Sequence, residues 1–170
     1  MSYFDELKKS MEWLAMKEDT VFLGQSVAYP GNSIFKTLED IPKEKRWELP
    51  IMEDCQLGMC IGLSMVGKTP ICIYPRMDFL MLAMNQLVNH LDKEIYPAKV
   101  IIRTCVGSSS PLDPGVQHKG DYTQGLRRML ENVRVVVFNS PTYIQSMYER
   151  AYNERESFLM IEKADLYGRE

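Results

Sequence analysis

Histidine is scarce in this chain. Only two occur among 170 residues, His90 and His118, which gives a histidine-rich metal site no basis. Cysteine occurs four times, at Cys55, Cys60, Cys72 and Cys105, and never in a C-x-x-C spacing. All four fall in apolar segments, so they read as buried, reduced thiols of a cytoplasmic protein rather than a disulfide or zinc framework. No apolar run approaches the roughly 18 residues of a membrane span. The N-terminus, with Asp5, Glu6, Lys8 and Lys9 among its apolar residues, does not have the form of a signal peptide. Neither sign of charge dominates: a net charge of −3 offers no electrostatic case for nucleic acid or an anionic membrane as partner. Internal repeats and low-complexity tracts are absent.

What is present is ordinary for a globular chain, with 45% hydrophobic and 25% charged residues. The length suits a single domain, residues 1–170, that buries roughly 70% of its unfolded surface. Ser2 can cap a helix whose Phe4, Leu7, Met11 and Leu14 keep helical spacing. Thr20–Gly24 reads as a short buried strand. Residues 25–49 read as loop with one short helix near Ile34–Leu38, punctuated by Pro30, Gly31, Asn32 and Pro42. A helix is expected from Glu53 to Val66, then a strand over Ile71–Tyr74. Asp78 is expected to cap a long helix reaching about Ile95. A strand over Val100–Thr104, a polar loop from Gly107 to Gly120 and a helix over Thr123–Leu130 follow. Then come a strand at Arg134–Phe138, a helix capped by Ser140 and started by Pro141, and a strand at Phe158–Ile161. Several strands are apolar throughout rather than alternating, as in a sheet covered on both faces. Strands and helices alternate along the chain. The expected fold class is therefore α/β: a three-layer α/β/α domain with a mostly parallel sheet.

Two stretches carry candidate chemistry. Gly62-Leu-Ser-Met-Val-Gly67-Lys68-Thr69 satisfies the phosphate-loop pattern G-x-x-x-x-G-K-[ST]. That mechanism needs a strand before the glycines and a helix after them, and here the order is reversed. Leu63, Ser64, Met65 and Val66 are also too bulky for a nest of exposed amides. The simpler reading is a helix C-cap at Gly67 followed by a polar turn. The second stretch is Pro50-Ile-Met-Glu53, which sets one carboxylate before an apolar helix. Gly58 and Gly62, four apart, share a face of that helix. A helix-start residue that complements the dipole is one reading of Glu53.

A second reading comes from a resemblance. Val21-Phe-Leu-Gly-Gln-Ser-Val-Ala28 resembles the pattern V-x-x-x-G-E-D-V-A, and Pro50-Ile-Met-Glu53 with Gly58 and Gly62 resembles P-I-x-E-x-x-x-x-G-x-A-x-G. Asp78-Phe79 with Asn85-Gln-Leu-Val-Asn89 resembles D-[FY]-x-x-x-x-D-Q-[IV]-x-N, and Val116-Gln-His118 resembles a P-Q-H loop. In this order the patches resemble the pyrimidine-binding domain of the transketolase family of thiamine diphosphate enzymes, above all the β subunit of 2-oxo acid dehydrogenase decarboxylase components. Asn85 stands where Asp is usual, Lys119-Gly120 follows His118 where Ser-Gln is usual, and Cys55 and Cys60 replace smaller residues.

The resemblance implies that Glu53 hydrogen-bonds a ring nitrogen of the cofactor's aminopyrimidine and shares a proton with it. Carboxylates in apolar surroundings are suited to that task. It implies that Phe79 stacks on the pyrimidine, that Ile51 and Leu57 line the same pocket, and that His118 contacts substrate; otherwise Phe79, Ile51 and Leu57 are core residues and His118 a solvated loop residue. His90 reads as structural. No G-D-G…N magnesium motif occurs, and no counterpart of the family's C-terminal domain is seen. The resemblance therefore implies a split enzyme: thiamine diphosphate held by its pyrimidine half here, with the diphosphate and Mg²⁺ on an α-type partner. The assembly would be a homodimer or heterotetramer acting on a 2-oxo acid or ketose. A non-catalytic interaction module is the alternative.

Overall fold

Val21, Leu23, Cys72 and Leu159 pack on one side of the sheet, while Phe22, Ile71, Ile73 and Phe158 pack on the other. Strands apolar at every position are thus buried on both faces, as their composition requires. The computed structural model of the chain describes residues 2–93, 98–107 and 113–168. Six strands, β1 (Thr20–Gly24), β2 (Arg46–Glu48), β3 (Thr69–Tyr74), β4 (Ile101–Val106), β5 (Arg134–Phe138) and β6 (Phe158–Lys163), form one sheet in the order β2-β1-β3-β4-β6-β5. Every pairing is parallel.

Two helices cover one face: α1 (Tyr3–Ala15), through Leu7, Met11 and Leu14, and α5 (Ile144–Asn153), through Ile144, Tyr148 and Ala151. The other face is covered by α2 (Glu53–Met65), α3 (Met77–Leu80) with its continuation, and α4 (Thr123–Met129). The three-layer α/β/α reading holds. Ser2 caps α1 by accepting the Asp5 N–H at 3.1 Å, and the Asp5 carboxylate accepts the Ser2 N–H in return. Ser140 and Pro141 start a 3₁₀ turn, Pro141–Tyr143, that leads into α5.

Four details depart from expectation. Arg46–Glu48 is an edge strand inside the stretch read as loop. Asp78 does not cap its helix; Arg76 holds the cap position, and Asp78 accepts the Gly120 N–H at 3.2 Å. The long helix is not uniform: α3 passes through a 3₁₀ turn, Met81–Ala83, into a π-helical stretch, Asn85–Asp92. Its expected end near Ile95 lies outside the described residues, as does part of the Gly107–Gly120 loop. Cys55 is exposed, not buried, because it points away from the sheet on the outer face of α2. Cys60, Cys72 and Cys105 are buried and unpaired, and burial raises the Cys60 thiol.

The phosphate-loop look-alike is a helix end. Lys68 N–H reaches Leu63 O at 3.0 Å and Gly67 N–H reaches Ser64 O at 3.0 Å. These two bonds make a Schellman motif, and Gly67 takes the positive φ of 87° that the motif needs. Lys68 is exposed beyond it and β3 follows at once. Lys68→Ala is expected to change stability by no more than about 0.5 kcal/mol. Gly67→Ala, forced into a left-handed conformation, is expected to cost about 1 kcal/mol. Thermal melts of the two variants check this, and a loss of ATP binding in Lys68→Ala would contradict the helix-end reading.

A fully buried ion pair crosses the sheet from β4 to β6. Arg103 meets Glu162 through Nε and through Nη2, the latter 3.0 Å from Oε2. Tyr148 and Tyr167 donate their hydroxyls to the same carboxylate. Burial works against the Arg103 charge, but the facing carboxylate more than offsets it and raises the guanidinium pKa. Burial and the Glu162 charge hold Tyr148 and Tyr167 well above the usual phenol range, so both remain donors.

Candidate active site

Parallel sheets bind ligands outside the carboxyl ends of their strands, where the strand order reverses. From β1 the chain runs first to β2 on one side and then to β3 on the other, so the reversal lies between β1 and β3. A cleft of about 290 Å³ opens there. It is lined by residues following β1 (Gln25, Ser26 and the Gly31–Ser33 turn), β3 (Pro75, Arg76, Phe79), β4 (Pro114, His118) and β6 (Ala164).

Glu53 is the first residue of α2 and only 6% exposed. Tyr74, at the end of β3, donates its hydroxyl to Glu53 O at 2.8 Å and fastens the helix start to the sheet. One turn on, Gln56 donates to Ile73 O at 2.9 Å. The Glu53 side chain does not itself line the cleft; Gln25 joins it to the cleft by donating from Nε2 to Oε1 at 3.3 Å. Oε2 has no hydrogen bond among the described residues.

Gln25 is held by backbone geometry. Gly24 ends β1 where a Cβ would come 2.3 Å from Ile73 O, so only glycine fits. Ser26 follows with φ of 55°, the one described non-glycine residue in the left-handed region. The Glu48 carboxylate compensates by accepting the N–H groups of Ser26, Val27 and Ala28 at 2.6, 2.8 and 2.9 Å. The missed edge strand thus has a purpose: it carries the residue that fixes the cleft wall.

Phe79 and His118 meet as half-buried rings, centroids 5.2 Å apart and planes 43° apart. His118 closes a short 3₁₀ turn, Val116–His118, and its Nδ1 is buried without a partner among the described residues. Arg76, at the start of α3, donates from Nη1 to Gly107 O at 2.8 Å. Cys105, under the cleft, donates its thiol to Pro75 O. Burial pushes that thiol up to about 12, despite the Arg76 charge, so it stays protonated.

Of the five residues singled out from sequence, Phe79 and His118 come together on the cleft, and Glu53 reaches it through Gln25. Leu57 is sealed in the core under α2, and Ile51 is 83% exposed. Ile51 lies before the first turn of α2, outside the cleft and exposed among the described residues. Gln25, Ser26, Arg76 and Glu48 were not assigned roles. Gln25 and Ser26 fall in a motif whose usual acidic pair they replace, which was the available signal. Among the described residues no cluster of His, Cys, Asp or Glu could hold a metal ion.

The family model for the transketolase pyrimidine-binding domain matches residues 6–169. The chain belongs to that family. Curated relatives include the pyruvate dehydrogenase E1 component subunit beta, mitochondrial, of Caenorhabditis elegans, 27% identical across 99% of this chain and 50% of that protein. The 2-oxoisovalerate dehydrogenase subunit beta of Bacillus subtilis (strain 168) is 25% identical across 98% of this chain and 53% of that protein. The chain spans about half the length of the curated relatives it matches. In fold it is similar to a split gene transketolase solved as an inactive β4 tetramer, with a TM-score of 0.75 at 18% identity, over 97% of this chain and 52% of that one. The transketolase pyrimidine-binding fold thus accounts for the whole sheet and both helical layers.

Proposed function

We propose that this chain is the pyrimidine-binding, β-type subunit of a split thiamine diphosphate-dependent enzyme. It would work with an α-type chain that supplies the diphosphate site and Mg²⁺, on a 2-oxo acid or ketose. One observation carries the reading: a buried helix-start carboxylate, Glu53, with one oxygen held by Gln25 and the other without a hydrogen bond among the described residues, beside a cleft faced by an aromatic ring. That donor set fits an aminopyrimidine, which needs a carboxylate for a ring nitrogen and a flat apolar face for the ring. A non-catalytic module would need neither the buried Glu53 carboxylate, with Oε2 unbonded among the described residues, nor a histidine ring beside Phe79 at the cleft.

The cofactor, when bound, supplies a carbon nucleophile that adds to a substrate carbonyl. Glu53 holds or releases a proton at Oε2. Gln25, a donor at Oε1, keeps that oxygen an acceptor and leaves the proton to Oε2. Phe79 offers its ring face. His118, which lines the cleft beside Phe79, would contact substrate. From this site to the far end of α2 the outer face of that helix is apolar and open: Met52, exposed Cys55, Met65 and Val66, with nothing within 4 Å of a Cβ built at Gly62. We propose that the partner subunit or a second copy packs there, giving a heterotetramer or homodimer.

The test is calorimetry. The full chain alone is expected to bind thiamine diphosphate weakly or not at all, and to bind it once the diphosphate-binding chain and Mg²⁺ are added. Tight binding by the chain alone would contradict the split; no binding by the mixture would contradict the cofactor.

A further inference from the structure

We propose that Glu48 is a positioning residue for Glu53, acting through Gln25 by holding the turn after β1 from the edge strand β2. The inference rests on reading Glu53 as the group that meets the cofactor, and it names what keeps that carboxylate oriented. Gly24, Gln25 and Ser26 leave β1 along a path that needs support. Gly24 passes too close to Ile73 O for any side chain, and Ser26 takes a φ of 55°. A left-handed residue other than glycine persists only where its surroundings over-determine it. Two side chains of β2, two residues apart and so on one side of the strand, supply those surroundings. Glu48 accepts the N–H groups of Ser26, Val27 and Ala28, a nest of three successive amides closed on one anion. Arg46 donates from Nη1 to Val27 O at 3.4 Å. Val27 is thus gripped at its N–H by a carboxylate and at its C=O by a guanidinium, while its side chain is sealed in the core with Ile34 and Leu38.

The same contacts close a ring. Leu49 N–H donates to Gly24 O at 2.8 Å and carries the β1–β2 pairing up to the residue before Gln25. From Glu48 the chain needs only Leu49–Met52 to reach Glu53, and the Gln25 side chain returns from Glu53 to the clamped turn. Glu53 is therefore tied to Glu48 twice, once by backbone and once through Gln25. At 3.3 Å the Gln25 bond is the longest hydrogen bond of the ring, so it is the one that a loosened turn breaks first. Glu48 itself is exposed, and its bonds to Ser26 and Ala28 lie at the surface, where water can replace it. Removing its carboxylate is therefore expected to leave the chain folded. A reacting group misplaced by about 1 Å, in contrast, can cost about 10²-fold in rate.

The experiment has one arm without cofactor and one with it. In the labelled full chain the Gln25 side-chain N–H resonances are identified by their loss in Gln25→Ala. In Glu48→Gln they are expected to move to the position of a solvated amide, and hydrogen exchange at the Val27 amide to quicken by about tenfold or more. In the complex with the diphosphate-binding chain, Mg²⁺ and thiamine diphosphate, Glu48→Gln is expected to slow deuterium exchange at the thiazolium carbon by about tenfold or more, with cofactor affinity kept. Combining it with Gln25→Ala is expected to cost no more than Gln25→Ala alone, because the two residues act along one path. Should Glu48→Gln fail to fold, Glu48→Asp, one methylene shorter with the charge kept, carries both arms and is expected to change each in the same direction. Unmoved Gln25 resonances in a folded Glu48 variant, or losses that multiply in the double variant, overturn the positioning role. Slow exchange in Glu53→Gln beside unchanged exchange in Glu48→Gln removes the positioning role alone. Unchanged exchange in Glu53→Gln beside displaced Gln25 resonances in Glu48→Gln removes the thiamine reading and leaves the link from Glu48 to Glu53 standing.

Discussion

Glu53→Gln is expected to leave the chain folded while turnover of the assembled enzyme falls by roughly 10²- to 10⁴-fold, the range typical of a lost proton-transfer group. The amide is nearly isosteric, and its oxygen can still accept from Gln25, so the helix start and the Tyr74 bond to its backbone persist. It cannot share a proton with a ring nitrogen. The fall should therefore appear in kcat, with cofactor affinity largely kept. A helix-start role predicts something else: a stability loss of a few tenths to about 1 kcal/mol through the dipole and no kinetic effect. Steady-state kinetics beside a thermal melt separates the two, and a destabilised but fully active variant would contradict the catalytic role.

The largest stability effect is expected at Glu162→Gln. Arg103 is fully buried, and its Nη1 already has no partner among the described residues. Removing the facing charge leaves an uncompensated guanidinium inside the sheet, which costs about 3–5 kcal/mol. That is a large fraction of a typical domain's stability of about 5–15 kcal/mol. At this chain length each kcal/mol moves the melting point by about 2–4 °C. The double variant Arg103→Met with Glu162→Gln is expected to recover part of the loss, because no charge is then stranded. Urea unfolding of both variants measures it. A cost below about 1 kcal/mol for Glu162→Gln would show that water or a rearranged partner reaches Arg103.

The sheet was legible because several of its strands are continuously apolar and separated by helical periodicity; α2 and the Ser140–Pro141 start carried strong local signals. The edge strand Arg46–Glu48 was not, because three residues with two of them exposed make no pattern. The π-helical stretch has no sequence mark apart from the helix it interrupts. Within the site, single residues were legible and their links were not. The Gln25–Glu53 bond joins residues 28 apart, and the Gly120–Asp78 bond residues 42 apart. Glu48 looks like a surface acid until β1 and β2 pair and place it against three amides. The Arg103–Glu162 pair did leave a trace: one charge of each sign inside an otherwise apolar strand is what a buried pair looks like in sequence.

The most direct measurement concerns the proton that Glu53 is held to pass. In the complex reconstituted with the diphosphate-binding chain and Mg²⁺, deuterium exchange at the thiazolium carbon of bound cofactor is followed for wild type and Glu53→Gln. The account predicts fast exchange in the wild type and exchange slowed by roughly 10²-fold or more in the variant. Equal rates would contradict it and leave Glu53 as a helix-start residue.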